Sequence, residues 1–137
     1  MTGTHAHRHA TGAVDVKSYQ TTPYDQPAEG PALVRVHVVE TFSGDIEGEG
    51  VAELLATTRG EDQASFVGVE RVTGSLGGRF GTFVLQDQGM LKGTTASGTW
   101  HVVPGSGTGE LSGLRGEGGF EAELGQRADI TLDYWFE

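Results

Sequence analysis

The sequence predicts an all-β protein, an antiparallel barrel of roughly eight strands. Three observations lead there. Apolar residues recur with a period of two rather than 3.6, as where Val34, Val36 and Val38 alternate with Arg35 and His37. Glycine supplies 23 of the 137 residues, far above a usual share of about 7%, and recurs too often to sustain a long amphipathic helix. The period-two segments are short and divided by Gly-rich turns, and closing them into a barrel removes the edges that an open sheet would expose.

Residues 1–8 read as a flexible N-terminal segment and residues 9–137 as a single barrel domain. A first strand is expected over 9–19. A loop follows over 21–27, because Pro23 and Pro27 cannot donate to a ladder. Further strands are expected over 32–44, 48–58, 64–76, 79–90 and 94–103. Residues 104–119 are rich in turn formers, with a single helical turn near 110–114. The last two strands fall at 119–123 and 128–137. Gly68, Gly74, Gly81 and Gly98 lie inside strands, where they would let the wall bend. A barrel of eight strands is either filled by its own side chains or holds one small ligand.

Composition excludes several functions. Nine Lys and Arg face 19 Asp and Glu, a formal net charge of −10 with no basic cluster. Such a surface repels phosphate backbones and anionic lipid, so neither nucleic acid nor membrane is an expected partner. There is no cysteine, hence no disulfide, thiolate nucleophile or Cys-based metal site. No apolar run approaches the roughly 20 residues of a membrane span. No signal-peptide pattern precedes the first strand, so a cytoplasmic location is expected. Gly105, Gly107 and Gly109 tempt a phosphate-loop reading, but no helix or βαβ unit surrounds them and no Lys-Ser or Lys-Thr follows. They read as a tight barrel-closing connection. His5, His7 and His9 alternate near the N-terminus without a carboxylate at a fixed interval, so no metal is assigned to them, and no cofactor is expected. There is no Gly-x-Ser-x-Gly elbow for a serine nucleophile.

The alternation sorts each strand into two faces. One face of the second strand carries Val34, Val36, Val38, Glu40 and Phe42; one face of the third carries Val51, Glu53 and Leu55; one face of the fourth carries Phe66, Gly68, Glu70 and Val72. Each apolar face holds one Glu. If these faces point inward, Glu40, Glu53 and Glu70 line one cavity, where desolvation and mutual repulsion would raise their pKa values toward those of a useful general acid or base. They would equally serve to anchor a ligand, or pair structurally with Arg71 or Arg79. Val84, Gln86 and Gln88 share a face, as do Trp100 and Val102, and Ile130, Leu132, Tyr134 and Phe136. Phe42, Phe66, Gln86, Trp100 and Tyr134 are therefore the candidate substrate-binding residues, apolar walls with a few polar tips. The opposite faces are also apolar: Leu33 and Val39 flank Arg35 and His37, Leu54 sits with Ala52 and Ala56, and Phe83 with Leu85. An exterior of that kind points to a homo-oligomer.

Four segments carry a resemblance to a known family: Phe42-Ser43-Gly44-Asp45-Ile46-Glu47-Gly48, the stretch 66–74, the stretch 81–86, and the long run 98–118 that opens Gly98-Thr99-Trp100-His101 and continues through Pro104-Gly105-Ser106-Gly107. Together they resemble the bacterial DUF3224 family over nearly the whole chain. That family is similar in architecture to allene oxide cyclase and dirigent proteins. The resemblance implies a cofactor-free β-barrel with an end-opening cavity, often within an oligomer. It supplies no reaction and no catalytic residue. The function expected on this basis is a cofactor-free cyclase or isomerase acting on a small apolar metabolite in the barrel, with Glu40, Glu53 or Glu70 as acid or base. The alternatives are a binding barrel without catalysis and a structural oligomer whose barrel is filled by side chains.

Overall fold

Eight antiparallel strands follow one another in sequence order and close on themselves: β1 (Arg8–Asp25), β2 (Ala32–Gly44), β3 (Ile46–Arg59), β4 (Gln63–Leu76), β5 (Arg79–Lys92), β6 (Thr95–Val102), β7 (Leu114–Glu123) and β8 (Ala128–Phe136). A 3-10 turn at Gly109–Leu111 interrupts the connection between β6 and β7. This computed structural model describes residues 6–137. Residues 1–5, with His5 and most of the segment read as flexible, lie outside the described residues.

The barrel closes where Arg8–Val14 of β1 pairs with Ala128–Tyr134 of β8. Beyond Val14, β1 pairs with β2 alone, from Val16 opposite Glu40 to Asp25 opposite Leu33. The loop expected over 21–27 is therefore mostly strand. Pro23 is tolerated because its strand has no second neighbour there, and a register shift between Pro23 and Asp25 absorbs the irregularity. Strand β7 begins at Leu114 rather than 119, and the helical turn falls earlier than the expected 110–114.

The Gly-rich connection does the work of a missing strand. β6 pairs only with Leu85–Lys92 of β5, leaving 79–84 without a neighbour on that side. Ser106 Oγ accepts from Val84 N–H at 3.1 Å, Thr108 Oγ1 from Thr82 N–H at 3.1 Å, and Glu110 Oε1 from Phe80 N–H at 3.0 Å. The two-residue spacing of these acceptors matches that of the free N–H groups of β5. An edge open to pairing is thereby covered, and Leu111 is carried over the end of the barrel, where it is fully buried.

Side-chain size divides the interior. At the end capped by Leu111, the wall presents Ile46, Leu76, Phe83, Leu114 and Leu132, which fill the lumen. Toward the opposite end, β2 and β3 present Val34, Val36, Val38, Ala52 and Ala56, which are too small to meet across it. The barrel is plugged at one end and hollow at the other.

Two strand faces differ from the expected assignment. On β3 the inward residues are Ala52, Leu54 and Ala56, and on β5 they are Phe83, Leu85 and Asp87; Val51, Glu53 and Leu55, and likewise Val84, Gln86 and Gln88, face outward. Both strands are apolar on both faces, so alternation alone does not orient them. The register does: Ala52 stands opposite Val38 on one side and Glu70 on the other, and Leu85 opposite Glu70 and Val102. A one-residue difference turns every side chain over. Leu54, Phe83 and Leu85 thus do not belong to the apolar exterior; Val51, Leu55, Val67 and Val69 form it instead.

Gly74 illustrates why glycine lies inside strands. It stands opposite Gly48 on β3 and Gly81 on β5. A Cβ on Gly74 would meet the Glu47 carbonyl oxygen and come within 2.7 Å of Gly48 Cα, both backbone atoms that cannot turn aside. Gly74→Ala is expected to destabilise the barrel by roughly 1–3 kcal/mol, the usual scale of overpacking. Urea unfolding checks this, and an unchanged midpoint would show that β3 and β4 do not approach so closely.

Candidate functional site

Three carboxyl groups converge inside the barrel: Glu40 from β2, Glu70 from β4 and Asp87 from β5. β3 lies between β2 and β4, and its residue between Glu40 and Val72 is Gly50. That missing side chain brings the acids together. A Cβ at Gly50 would run into the Glu70 carboxyl and lie 2.7 Å from a ring carbon of Phe42. Glu70 therefore leans over Gly50 toward Glu40, beside Phe42. Toward the plug the three acids are followed by Phe42, Val72 and Leu85, all buried; toward the hollow end their inward neighbours are Val38, Gly68 and Gly89. They form the floor of the cavity.

The cavity measures about 170 Å³. Its wall is largely apolar, with Val38, Ala52, Leu54, Ala128 and Ile130 beside the rings of Phe66, Trp100 and Phe120, and Tyr19 at its exposed rim. Trp100 and Phe120 stand 5.2 Å apart between centroids, and Phe66 and Phe120 6.2 Å. The indole N–H of Trp100 donates to the Thr131 carbonyl at 3.0 Å, so Trp100 offers the cavity only its π surface. Among the described residues, no Lys, Arg or His lines this space. Of the two arginines expected as partners, Arg71 is on the outer face and Arg79 lies 4.1 Å above the ring of Phe136.

Burial without a counter-ion governs the protonation of the site. Glu70 is 1% exposed and Asp87 8%. Glu70 Oε2 and Asp87 Oδ1 have no hydrogen-bond partner from the protein. Desolvation first, then the hydrogen bond and charge of Glu40, then the charge of Asp87, push the Glu70 carboxyl from 4.5 up to about 11. Asp87 rises from 3.8 to about 6, through burial and the charge of Glu40, offset in part by a backbone hydrogen bond. Near neutral pH the floor thus holds a neutral acid, Glu70, beside an ionised Asp87.

The candidates from the sequence divide accordingly. Glu40 and Glu70 meet on the floor; Phe66 and Trp100 line the wall. Phe42 packs beside Glu70, its ring 6.4 Å from Trp100. Tyr134 is buried near the plug, edge-on to Phe136, away from the cavity. Glu53 is a correction: it points outward, 3.1 Å from His37 Nδ1, because its strand presents Ala52 and Leu54 inward. Gln86 is a second, placed outside by the inward turn of Leu85 and Asp87. It lies in an open exterior depression of about 710 Å³ over β4–β8, where Gln86, Gln88, Thr99, His101, Glu117 and Asp133 are exposed. His7 stacks on Trp135 at 4.4 Å, and His9 pairs with Asp133 on the outer wall. Among the described residues no three His, Asp or Glu side chains are grouped as a metal would require.

Asp87 was the acid that sequence reasoning missed. It shares a face with Phe83 and Leu85 at period two, but Phe80, Val84 and Met90 lie on the other face, so alternation alone does not turn it inward. Gly50 gave no signal by itself, since its role exists only once β2 and β4 flank it.

The chain matches the family described as Protein of unknown function (DUF3224) over residues 10–134, which spans all eight strands. The chain belongs to the DUF3224 family. A crystal structure of a protein with unknown function from this family, from Shewanella oneidensis MR-1, has a TM-score of 0.77 and 32% sequence identity, covering 96% of this chain and 99% of that one. No curated protein matches the chain. Among the described residues, no helix of this DUF3224 protein is long and apolar enough to cross a membrane.

The raised carboxyls of the DUF3224 barrel predict a definite pH dependence. Glu70 and Asp87 bind their protons more tightly folded than unfolded. Their stabilisation is complete below about pH 4 and is lost as pH rises, through about 6 for Asp87 and toward about 11 for Glu70. Raising Asp87 from 3.8 to about 6 corresponds to on the order of 3 kcal/mol. Glu70→Gln keeps the shape and removes the titration. Relative to the unsubstituted protein, E70Q should gain stability with rising pH, by up to about 1.4 kcal/mol per pH unit. Chemical denaturation from acid to mildly alkaline pH measures it; a pH-independent difference would mean that Glu70 ionises normally.

Proposed function

We propose that this barrel is a cofactor-free acid–base catalyst, of isomerase or cyclase type, for a small and largely apolar molecule bound in its hollow end. The observation that supports the reading best is the pair of buried, unpartnered carboxyl oxygens on the floor of an otherwise apolar cavity. Leaving such groups unmatched is costly unless something else meets them. Their protonation states are also split, which is the arrangement that acid and base roles need. In the proposed step Asp87 takes a proton from one position of the ligand while Glu70 delivers one to another. The ligand leaves as an isomer, and the carboxyl cluster keeps its proton count. Glu40 holds the Glu70 carboxyl in place across Gly50. The apolar wall fixes one conformer over the acids.

The size of the space narrows the ligand. An apolar cavity of about 150 Å³ accepts benzene, so about 170 Å³ suits a body of single-ring dimensions. Native mass spectrometry of protein purified from its own host, followed by denaturing release, would identify a retained compound, which is then assayed for conversion. Glu70→Gln and Asp87→Asn are each expected to cut turnover by about 10²-fold or more, the usual worth of a general acid or base, with binding retained in Glu70→Gln. A retained compound that is never converted would favour the non-catalytic binding barrel. Full turnover in both variants would remove the acids from the chemistry.

We also propose self-association through the outer face of β3 and β4, where Leu55 stands beside Val67 and both are about half exposed. Sedimentation velocity at micromolar concentration should show a dimer or larger species, reduced by Val67→Lys; a monomer in the unsubstituted protein contradicts it.

A further inference from the structure

We infer that the ligand of this cavity carries a positively charged nitrogen on a compact apolar body, an amine of single-ring size rather than a neutral or acidic molecule. The inference rests on the cavity reading and adds the chemical class. Its basis is the one-sidedness of the polar groups. Glu40, Glu70 and Asp87 bring acceptor oxygens to the floor, two of them buried and without partner. The lining offers little in the other direction: the proton of neutral Glu70 is engaged with Glu40, Trp100 has spent its N–H on Thr131, and among the described residues no Lys, Arg or His reaches the space. A carboxylate ligand would meet like charge with nothing to offset it. A neutral ligand with one donor would leave part of the cluster unmatched. An ammonium can donate up to three hydrogen bonds, and it compensates the charge of Asp87 where, among the described residues, the lining supplies no cation.

The wall fits the same ligand. The π faces of Phe66, Trp100 and Phe120 surround the space above the acids, and aromatic faces attract cations as well as apolar bodies. The titratable groups that face Asp87 in the cavity are Glu40 from β2, Glu70 from β4 and Tyr19 from the rim of β1. None is cationic, so the acids alone set the charge that the ligand meets. Binding of an amine should strengthen as Asp87 ionises, through about pH 6.

Three probes of nearly equal shape decide the matter by isothermal titration calorimetry: benzylamine, benzyl alcohol and benzoate. The expected result is benzylamine bound about tenfold or more tightly than benzyl alcohol, a difference of about 1.4 kcal/mol, with no detectable binding of benzoate. The preference should weaken below pH 6 and vanish in Asp87→Asn. Benzyl alcohol bound as well as the amine, or benzoate preferred, would overturn the cationic class while leaving the cavity reading intact. If none of the three binds, both fail. Ala52→Leu, which fills the cavity, should abolish amine binding; amine binding that survives it belongs to the acidic exterior and overturns the inference. Should either variant not fold, the ranking of the three probes and its pH dependence in the unsubstituted protein still decide it.

Discussion

Closure of the sheet is the constraint from which the rest follows. Once Arg8–Val14 pairs with Ala128–Tyr134, strand number and stagger together set the width of the lumen. The chain can then vary only the size of what it points inward. Leu, Ile and Phe around Leu111 fill the width and make a packed core. Val and Ala on β2 and β3 cannot, and the unfilled volume becomes a cavity. The overhang of β1 beyond β8 has the same origin. Its pairing with β2 continues past the ring, bringing Val16 and Tyr19 to the rim of the opening.

The carboxyl cluster sits at the boundary between these halves, where the lumen stops being filled. Deeper, three acids would be crushed against Leu85 and Val72; nearer the mouth, water would solvate them and leave their affinity for protons ordinary. At the boundary they are enclosed without being matched. Among the described residues, no Lys, Arg or His reaches them. Arg127 pairs with Asp15, Lys17 with Glu49 and Arg115 with Glu137, all on the outer wall. Neutralisation by a proton on Glu70 takes the place of an ion pair, as expected where an isolated buried charge is too costly to keep. Proton affinity, burial and access to the cavity are thus one property of the site.

How much of this could be read from the chain depended on contrast between strand faces. β2 alternates cleanly, Val34 to Phe42 against Arg35 and His37, so Glu40 was placed inside correctly; β4 does so around Phe66 and Val72, which placed Glu70. β3 and β5 carry apolar residues on both faces. There the decision belongs to register with neighbouring strands, a property of the closed sheet that no single segment contains. The cost was specific: Glu53 stood in for Asp87, and Gln86 was turned inward. The plug was hidden for a related reason. Leu111 and Leu114 lie in or beside a Gly-rich run that reads as turn, and their position over the end of the barrel depends on Ser106, Thr108 and Glu110 finding the free edge of β5. Pro23 misled in the opposite sense, because only the topology reveals that β1 has one neighbour at that point.

Stability alone gives poor reason for this floor. Leu85 and Val72, the next inward residues toward the plug, show that the adjoining wall accepts apolar side chains with complete burial. A leucine at position 70 or 87 would bury apolar area without carrying polar atoms out of water, and replacing buried charges by packed hydrophobes is often neutral or stabilising. The chain instead carries acids at these positions and a glycine at 50 that lets two of them meet. It also places them at the one level where a small molecule entering from the mouth would reach them. The barrel stops the packing short and lines the floor with groups whose protonation the surroundings hold apart, the combination on which the proposed acid–base reading rests.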